Sequence, residues 1–203
     1  MILRYVWDAR AAQYRATNGQ FVSRRELVAT LDAAVNAEAR AMLGAYNQLR
    51  SGAISLDTWH LGMRQSIKLI HLWAAAAAKG GWAALDAADY GRVGNTVLFH
   101  YRRLQAFALQ ISSGLPLDGR AAWRVEMYGR AARQTFHAIE LNVTRLAGYR
   151  YERNVVNPAS ENCTECRNLA ELGVQPIGSL PRPGYRLCRT GCSCYLEFFR
   201  TLD

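Results

Sequence analysis

The sequence predicts a mainly α-helical protein: a helical bundle with a short N-terminal β-hairpin and a small C-terminal β element of zinc-knuckle type. Three observations lead there. Apolar residues recur at helical spacing through most of residues 1–150, between well-marked caps. The dipeptide Asn18-Gly19 stands between two short runs of strand formers. All five cysteines lie at or beyond Cys163, as Cys163-x-x-Cys166 and Cys188-x-x-x-Cys192-x-Cys194. The chain therefore divides into a hairpin and basic helical body, residues 1–150, and a cysteine-rich metal-binding subdomain, residues 151–203. At 203 residues it can bury one main core plus a small appendage.

Each element has its own signal. Asn-Gly accepts positive φ at both positions of a tight turn, so a ribbon is expected between Ala12–Arg15 and Gln20–Val22. Ser23-Arg-Arg-Glu26 then has capping-box spacing and opens a first long helix carrying Leu27, Val28, Leu31, Val35 and Leu43 up to Ser51-Gly52. Ser55, Asp57 and Thr58 offer caps for a second helix with Trp59, Met63, Ile67, Ile70 and the alanine run Ala74–Ala78, stopped by Gly80-Gly81. Small residues between Trp82 and Gly94 suggest a turn with a short helical piece. A third helix is then expected from Asn95 or Thr96, with Val97, Leu98, Tyr101, Leu104, Phe107, Ala108 and Ile111, ending at Ser112-Ser113-Gly114. A fourth should run from Arg120 to Leu146 with Trp123, Met127, Ala131, Phe136, Ile139 and Val143 near one face, and Gly148 as its C-cap. Four such helices on short loops make a bundle. Beyond them, Tyr149–Val156 and Cys194–Phe199 are rich in strand formers and should pair around the cysteines, with a helical piece at Glu165–Leu172.

A cysteine-dense end on a cysteine-free body is a small unit that burial alone cannot hold together. A Cys-x-x-Cys turn sets two thiolates within reach of one tetrahedral ion, and the second cluster supplies the rest. Gly173, Pro176, Gly178, Pro181, Pro183 and Gly184 crowd the loop between them, as a backbone bent around a metal requires. The alternative is a disulfide pair with a thiol left over. Zinc is favoured because Met1-Ile-Leu-Arg-Tyr5 lacks the long apolar run of a secretory signal, so a reducing compartment is expected. The candidate ligands of this structural zinc are Cys163, Cys166, Cys188, Cys192 and Cys194, four of the five. Cys163 and Cys166 are the surest pair, while Cys188, Cys192 and Cys194 compete for the other two places; a tight turn in the second half would leave Cys188 or Cys194 unused. His60, His71, His100 and His137 fall in helical stretches of the body and read as ordinary surface or core histidines.

The formal net charge is +9, and residues 151–203 carry equal numbers of basic and acidic side chains, so the whole excess sits in residues 1–150. Lys68 and Lys79 are the only lysines; arginine supplies the rest, suited to bidentate contact with phosphate or carboxylate. Nucleic acid or an acidic protein surface is the partner class this implies, against the plainer reading of arginine as the solvent-facing residue of an alanine-rich chain. The alanine run is too short for a membrane span, so no membrane partner is expected. There is no His-Glu-x-x-His helix, phosphate-binding Gly-x-x-x-x-Gly-Lys loop or Gly-x-Ser-x-Gly elbow, and a four-thiolate site is closed to substrate. The sequence thus points to a non-catalytic binding or assembly role.

Glu161-Asn-Cys163-Thr-Glu-Cys166, Pro176-Ile-Gly178-Ser-Leu-Pro181 and Cys188-x-x-x-Cys192-Ser-Cys194-Tyr195 resemble the C-terminal signature of tailed-phage head-morphogenesis, or minor head (minor capsid), proteins. Tyr14-Arg15 followed by Gly19-Gln-Phe21-Val22-Ser23 is similar to the opening of structural proteins encoded in phage and prophage genomes. The chain departs from the common minor-head ending, His-Pro-x-Cys-Arg-Cys, in having Tyr185-Arg-Leu-Cys188 and Cys192-Ser-Cys194. The resemblance implies a bacteriophage virion structural protein, made in the host cytoplasm and built in several copies into or near the head. Its partners would be other head, portal or neck proteins, or packaged DNA. The alternative is a nucleic-acid-binding zinc protein that uses the arginine-rich body on phosphates.

Overall fold

The structure is a computed structural model describing residues 5–202, and the reading of Met1–Arg4 as no secretory leader lies outside the described residues. It is mainly α-helical, with two small antiparallel sheets, one at each end of the chain.

The N-terminal hairpin pairs β1 (Tyr5–Asp8) with β2 (Gln13–Ala16). The turn that makes it is Ala9–Ala12, tied down by the Asp8 carboxylate, which accepts from the amides of Arg10 and Ala11 at 3.0 and 3.1 Å. The Asn18-Gly19 turn forms too, with Gly19 at φ 84°, but it returns the chain only for a single bridge between Arg15 and Phe21. The ribbon expected at Asn-Gly is therefore built one turn earlier, because β2 buries Tyr14 against Tyr5 and Trp7 rather than against Phe21, which stays exposed.

Helix α1 (Arg24–Arg50) opens with the predicted capping box of Ser23 and Glu26. Its buried stripe is Leu27, Val28, Leu31, Val35, Ala39, Met42 and Tyr46. Helix α2 (Leu56–Lys79) runs from the Ser55 cap to Gly80, whose φ of 81° ends it in the left-handed conformation that glycine tolerates. It is the central helix, packed on α1 and on the later helices Ala87–Ser112 and Ala132–Leu146, which is why Ala74–Ala78 are all fully buried.

Helix α3 (Ala87–Ser112) begins eight residues ahead of the expected Asn95. Asp86 and Asp89 form a reciprocal capping box, and Lys79 reaches both carboxylates at 3.0 and 2.7 Å. That start carries the helix through Gly91 and Gly94 despite about 1 kcal/mol lost at each glycine. The expected fourth helix is two: α4 (Gly119–Arg130) and α5 (Ala132–Leu146), with a kink at Ala131 where the Gln134 amide bonds back to the Ala131 carbonyl at 3.0 Å. The kink lets α4 cross α1 closely while α5 lies on α2. At the crossing a Cβ on Gly129 would stand 2.8 Å from Ala39 Cα. It also shifts the buried face of α4 to Ala121, Val125, Tyr128 and Gly129, leaving Trp123 59% exposed.

Past Gly148 the chain forms β3 (Tyr151–Val155), helix α6 (Thr164–Glu171), β4 (Val174–Pro176) and β5 (Tyr195–Phe199). The sheet order is β4-β3-β5, with β3 and β5 paired antiparallel as expected from Tyr151↔Phe199 to Val155↔Tyr195. Strand β4 was not expected; it adds a short edge ending in Pro176, where a missing N–H is tolerated. The subdomain sits directly on the body through Arg133, which bonds Asp32 of α1 at 2.7 Å and the Thr190 carbonyl at 3.2 Å, and through Gln134, which donates to the Gly184 carbonyl at 2.6 Å. Among the described residues no helix is long and apolar enough to cross a membrane.

Candidate metal centre

The five cysteines, up to 31 positions apart in sequence, meet in one buried cluster, free of disulfides. Cys163 is the N-cap of α6, its sulfur accepting from the Cys166 amide at 3.4 Å, so the helix start fixes this pair. The chain then passes β4 and the proline-rich loop and brings back Cys188 and Cys192 on either side of a single 3₁₀ turn, Arg189–Gly191. Arg189 has φ 47°, a left-handed position that reverses the backbone over the cluster. Cys194 follows immediately before β5.

Two groups of three sulfurs lie mutually within 4.8 Å: Cys163, Cys166 and Cys188, and Cys166, Cys192 and Cys194. Cys166 belongs to both. Its sulfur is 3.6 Å from that of Cys188 and 3.7 Å from that of Cys192. A tetrahedral ion with metal–sulfur bonds of about 2.3 Å separates its ligands by roughly 3.8 Å. The spacing matches that edge and is far too long for the ~2.05 Å sulfur bond of a disulfide. No histidine belongs to either group. His71, His100 and His137 are buried in the body as core residues, His71 on the Thr135 hydroxyl at 2.7 Å.

Buried polar side chains that sequence reading passed over support the cluster. Asn154 of β3 donates to the Cys166 carbonyl at 2.8 Å and accepts from Arg186 Nη1 at 2.7 Å. The same Arg186 nitrogen stands 3.6 Å from the Cys166 sulfur, and Nε donates to the Pro181 carbonyl at 2.8 Å. Arg186 is only 2% exposed, so its charge is aimed at the thiolates rather than at water. Glu152, also on β3, receives the Leu180 amide at 2.8 Å and Arg182 at 2.7 Å, anchoring the loop that carries Arg186. The signal was present in Tyr-Glu152-Arg-Asn154-Val, where two polar residues two apart share the face of a strand that should have been apolar.

Protonation within the cluster is uneven. The Cys194 hydrogen bond holds the Cys192 thiol well below its ordinary value, and reciprocally Cys194 is pushed far up by that bond and by burial. Burial raises Cys188. Burial is also the largest influence on Cys163 and opposes its ionisation, but the hydrogen bonds from the Cys166 and Cys188 amides and thiols together outweigh it and draw the thiol down. The arrangement can hold a soft, tetrahedral cation behind a closed shell of sulfur.

A cleft of about 600 Å³ lies elsewhere, between the hairpin, the start of α1, α5 and β5, walled by Trp7, Tyr14, Phe21, Tyr149 and Phe198. The one buried carboxylate on it, Glu140, is bound by Arg24 at 2.6 Å and faces His137 at 3.3 Å, so it is committed to structural pairs. Comparison of the chain with sequence families, with characterised proteins and with solved structures finds no match.

Proposed function

We propose that this chain is a non-catalytic structural or head-assembly protein of a tailed-phage virion, a minor capsid or portal-proximal component. Its cysteine cluster holds one structural zinc, and its basic helical body docks on an acidic neighbouring subunit. Zinc is supported by an all-sulfur donor set at tetrahedral spacing, which suits a borderline-soft ion without redox chemistry. The phage context is supported by the two end motifs alone.

The observation that carries the docking role is the outer face of α2 and α3. The two helices run antiparallel, joined by the Tyr101 hydroxyl on the Arg64 carbonyl at 2.9 Å and by Lys79 on Asp89. Neither Asp nor Glu occurs between Asp57 and Asp86, or between Asp89 and Asp118. On α3, Leu98, Arg102 and Leu109 follow at i, i+4 and i+11 along one outward stripe, and both leucines are more than half exposed, at 55% and 58%. Across the seam α2 adds Leu61 at 60%, with Arg64 and Lys68. Large apolar side chains interleaved with cations, and no anion among them, fit a protein surface that is itself apolar and acidic. A nucleic acid would use the cations but has no place for the leucines.

The test pairs mass spectrometry of purified particles with a salt-series binding assay on duplex DNA. The expected result is a chain that co-purifies with particles and binds free DNA weakly. Absence from particles, with tight binding that falls steeply with salt, favours the nucleic-acid-binding alternative instead.

A further inference from the structure

Five sulfurs crowd a site that a tetrahedral ion fills with four, and their contacts are not equivalent. Resting on the zinc reading above, we infer that Cys163, Cys166, Cys188 and Cys192 bind the ion, and that Cys194, hydrogen-bonded to Asn162, stands outside its coordination shell.

The inference proceeds outward from the helix start. Cys163 and Cys166 are fixed together by the α6 cap. The only other sulfur grouped with both of them is Cys188. That leaves one position, for which Cys192 and Cys194 compete, both being grouped with Cys166. Cys192 stands 3.7 Å from Cys166, at the edge length of a zinc tetrahedron. The Cys194 sulfur instead donates to the Asn162 side-chain oxygen at 3.3 Å, a bond that only a protonated thiol makes. Asn162 is itself held, its amide nitrogen donating to the carbonyls of Asn157 and Ser160 at 2.9 and 3.0 Å, which presents the oxygen to Cys194. A bare thiolate there would face that oxygen with no proton between them.

Charge agrees with this count. Four thiolates on a divalent ion leave two negative charges, and buried Arg186 offsets one of them at Cys166, the ligand that contacts most of the others. A fifth thiolate would bring another buried negative charge with no second cation among the described residues of the cluster.

The experiment compares the full-length wild type with Cys188→Ser and Cys194→Ser, each purified under reducing conditions, reading zinc per chain and the rate of zinc transfer to a chromogenic chelator. In the wild type loaded with NMR-active cadmium, proton–cadmium correlation shows directly which cysteine β-protons couple to the metal, without any substitution. The expected result is one zinc per chain in the wild type and in Cys194→Ser, with at most about a tenfold change in release, as for a group that only supports the ligands. Cys188→Ser should lose its zinc or release it more than about 100-fold faster, and cadmium coupling should appear at Cys163, Cys166, Cys188 and Cys192 only. A wild type without zinc overturns the zinc reading itself. A zinc-bearing wild type with coupling at Cys194, zinc loss in Cys194→Ser, retention in Cys188→Ser, or two ions per chain overturns the ligand assignment alone.

Discussion

Replacing Cys166 by serine should unfold the cysteine-rich subdomain and leave the helical bundle standing, because the two parts are held by different things. The bundle has a continuous core from Tyr5 to Val143, to which no residue of the subdomain contributes. The subdomain has the cysteine cluster and a second small cluster of Leu169, Leu180 and Leu196 with half-buried Phe198. Burying those three leucines gains roughly 5–9 kcal/mol at about 1.5–3 kcal/mol each. A structural zinc contributes about 10–16 kcal/mol in small zinc modules. On the proposed zinc reading the ion would be the larger contribution, and Cys166 is the sulfur on which both halves of the cluster converge.

The cost to the bundle is smaller. It loses the side-chain hydrogen bonds that cross to the subdomain: Arg24 to the Leu196 carbonyl, Arg133 to Thr190, Gln134 to Gly184, Arg145 to Ile177, Thr190 to the Met127 sulfur and Arg200 to the Ala147 carbonyl. At about 0.5–1.5 kcal/mol each they sum to roughly 3–9 kcal/mol, enough to lower the melting temperature without opening a core of this size. Hydrogen exchange read by mass spectrometry should show protection lost beyond about Tyr149 and kept in α1, α2 and α3. Far-UV circular dichroism should fall by little more than the 8 residues of α6. Parallel loss of protection in α1 to α3 would mean that bundle and subdomain fold as one cooperative unit, and the division argued here would be wrong.

Other perturbations test separate contacts. In Gly80→Ala the new Cβ would lie 2.7 Å from Trp7 Cβ, at a φ of 81° that alanine resists; a loss of roughly 2–5 kcal/mol is expected from overpacking and backbone strain together. Thermal unfolding with tryptophan emission checks it, and an unchanged melting temperature would remove the hairpin from the α2 terminus. Arg186→Met should weaken zinc binding by about 10–100-fold while leaving one ion per chain, as expected of a group that acts through the ligands; unchanged affinity in a chelator competition would show that the guanidinium does not stabilise the thiolates. Stability should also fall with acid. His71 and His100 stack at 4.9 Å in the core, His71 held down to about 3 by burial and by His100, His100 to about 4 by burial and by Arg103. Both values lie below that of the unfolded chain, so the unfolded state takes up protons first, and stability present above about pH 6.5 is lost as the pH falls toward 4. At about 1.4 kcal/mol per group per pH unit the loss between pH 6.5 and 5 reaches roughly 4 kcal/mol. Urea unfolding across that range should show the slope, and its persistence in full in His71→Gln would rule the pair out as its source.

Much of the fold was legible because its signals are local. Ser23 with Glu26, Ser55 before α2, and Gly80 and Gly148 after their helices name the ends of elements by hydrogen bonds that involve only near neighbours. What the sequence hid depends on distant partners. Gly91 and Gly94 read as a loop until Lys79, at the end of the preceding helix, is seen to clamp Asp86 and Asp89 and start α3 ahead of them. The kink at Ala131 has no proline or glycine at the residue itself; it arises where α4 must meet Ala39 of α1 while Arg133 turns to Asp32. The cysteine cluster shows both sides of this. Spacing identifies the five sulfurs, but their unequal contacts, and the roles of Asn154, Asn162 and Arg186, depend on how β3 and the proline-rich loop fold over them.

The outward stripe of α3 bears on the proposed docking role. In sequence, Leu98 is read with Val97 and Leu104 among the apolar residues that the third helix carries. In the fold, Val93, Val97, His100, Leu104 and Phe107 already complete that face, and Leu98 and Leu109 stand outside it in water. A helix that packs on one neighbour needs one apolar stripe, and additional leucines spaced along a second one add nothing to the bundle. Scattered exposed apolar residues would need no explanation, but these align with each other and with Leu61 across the seam, among Arg64, Lys68 and Arg102 and without an acidic residue. Self-association through this face would bring like charges together. Under the proposed docking role an acidic partner would remove that repulsion and cover the leucines at the same time, which would make the second stripe and the confinement of the positive charge to the body consequences of one interface.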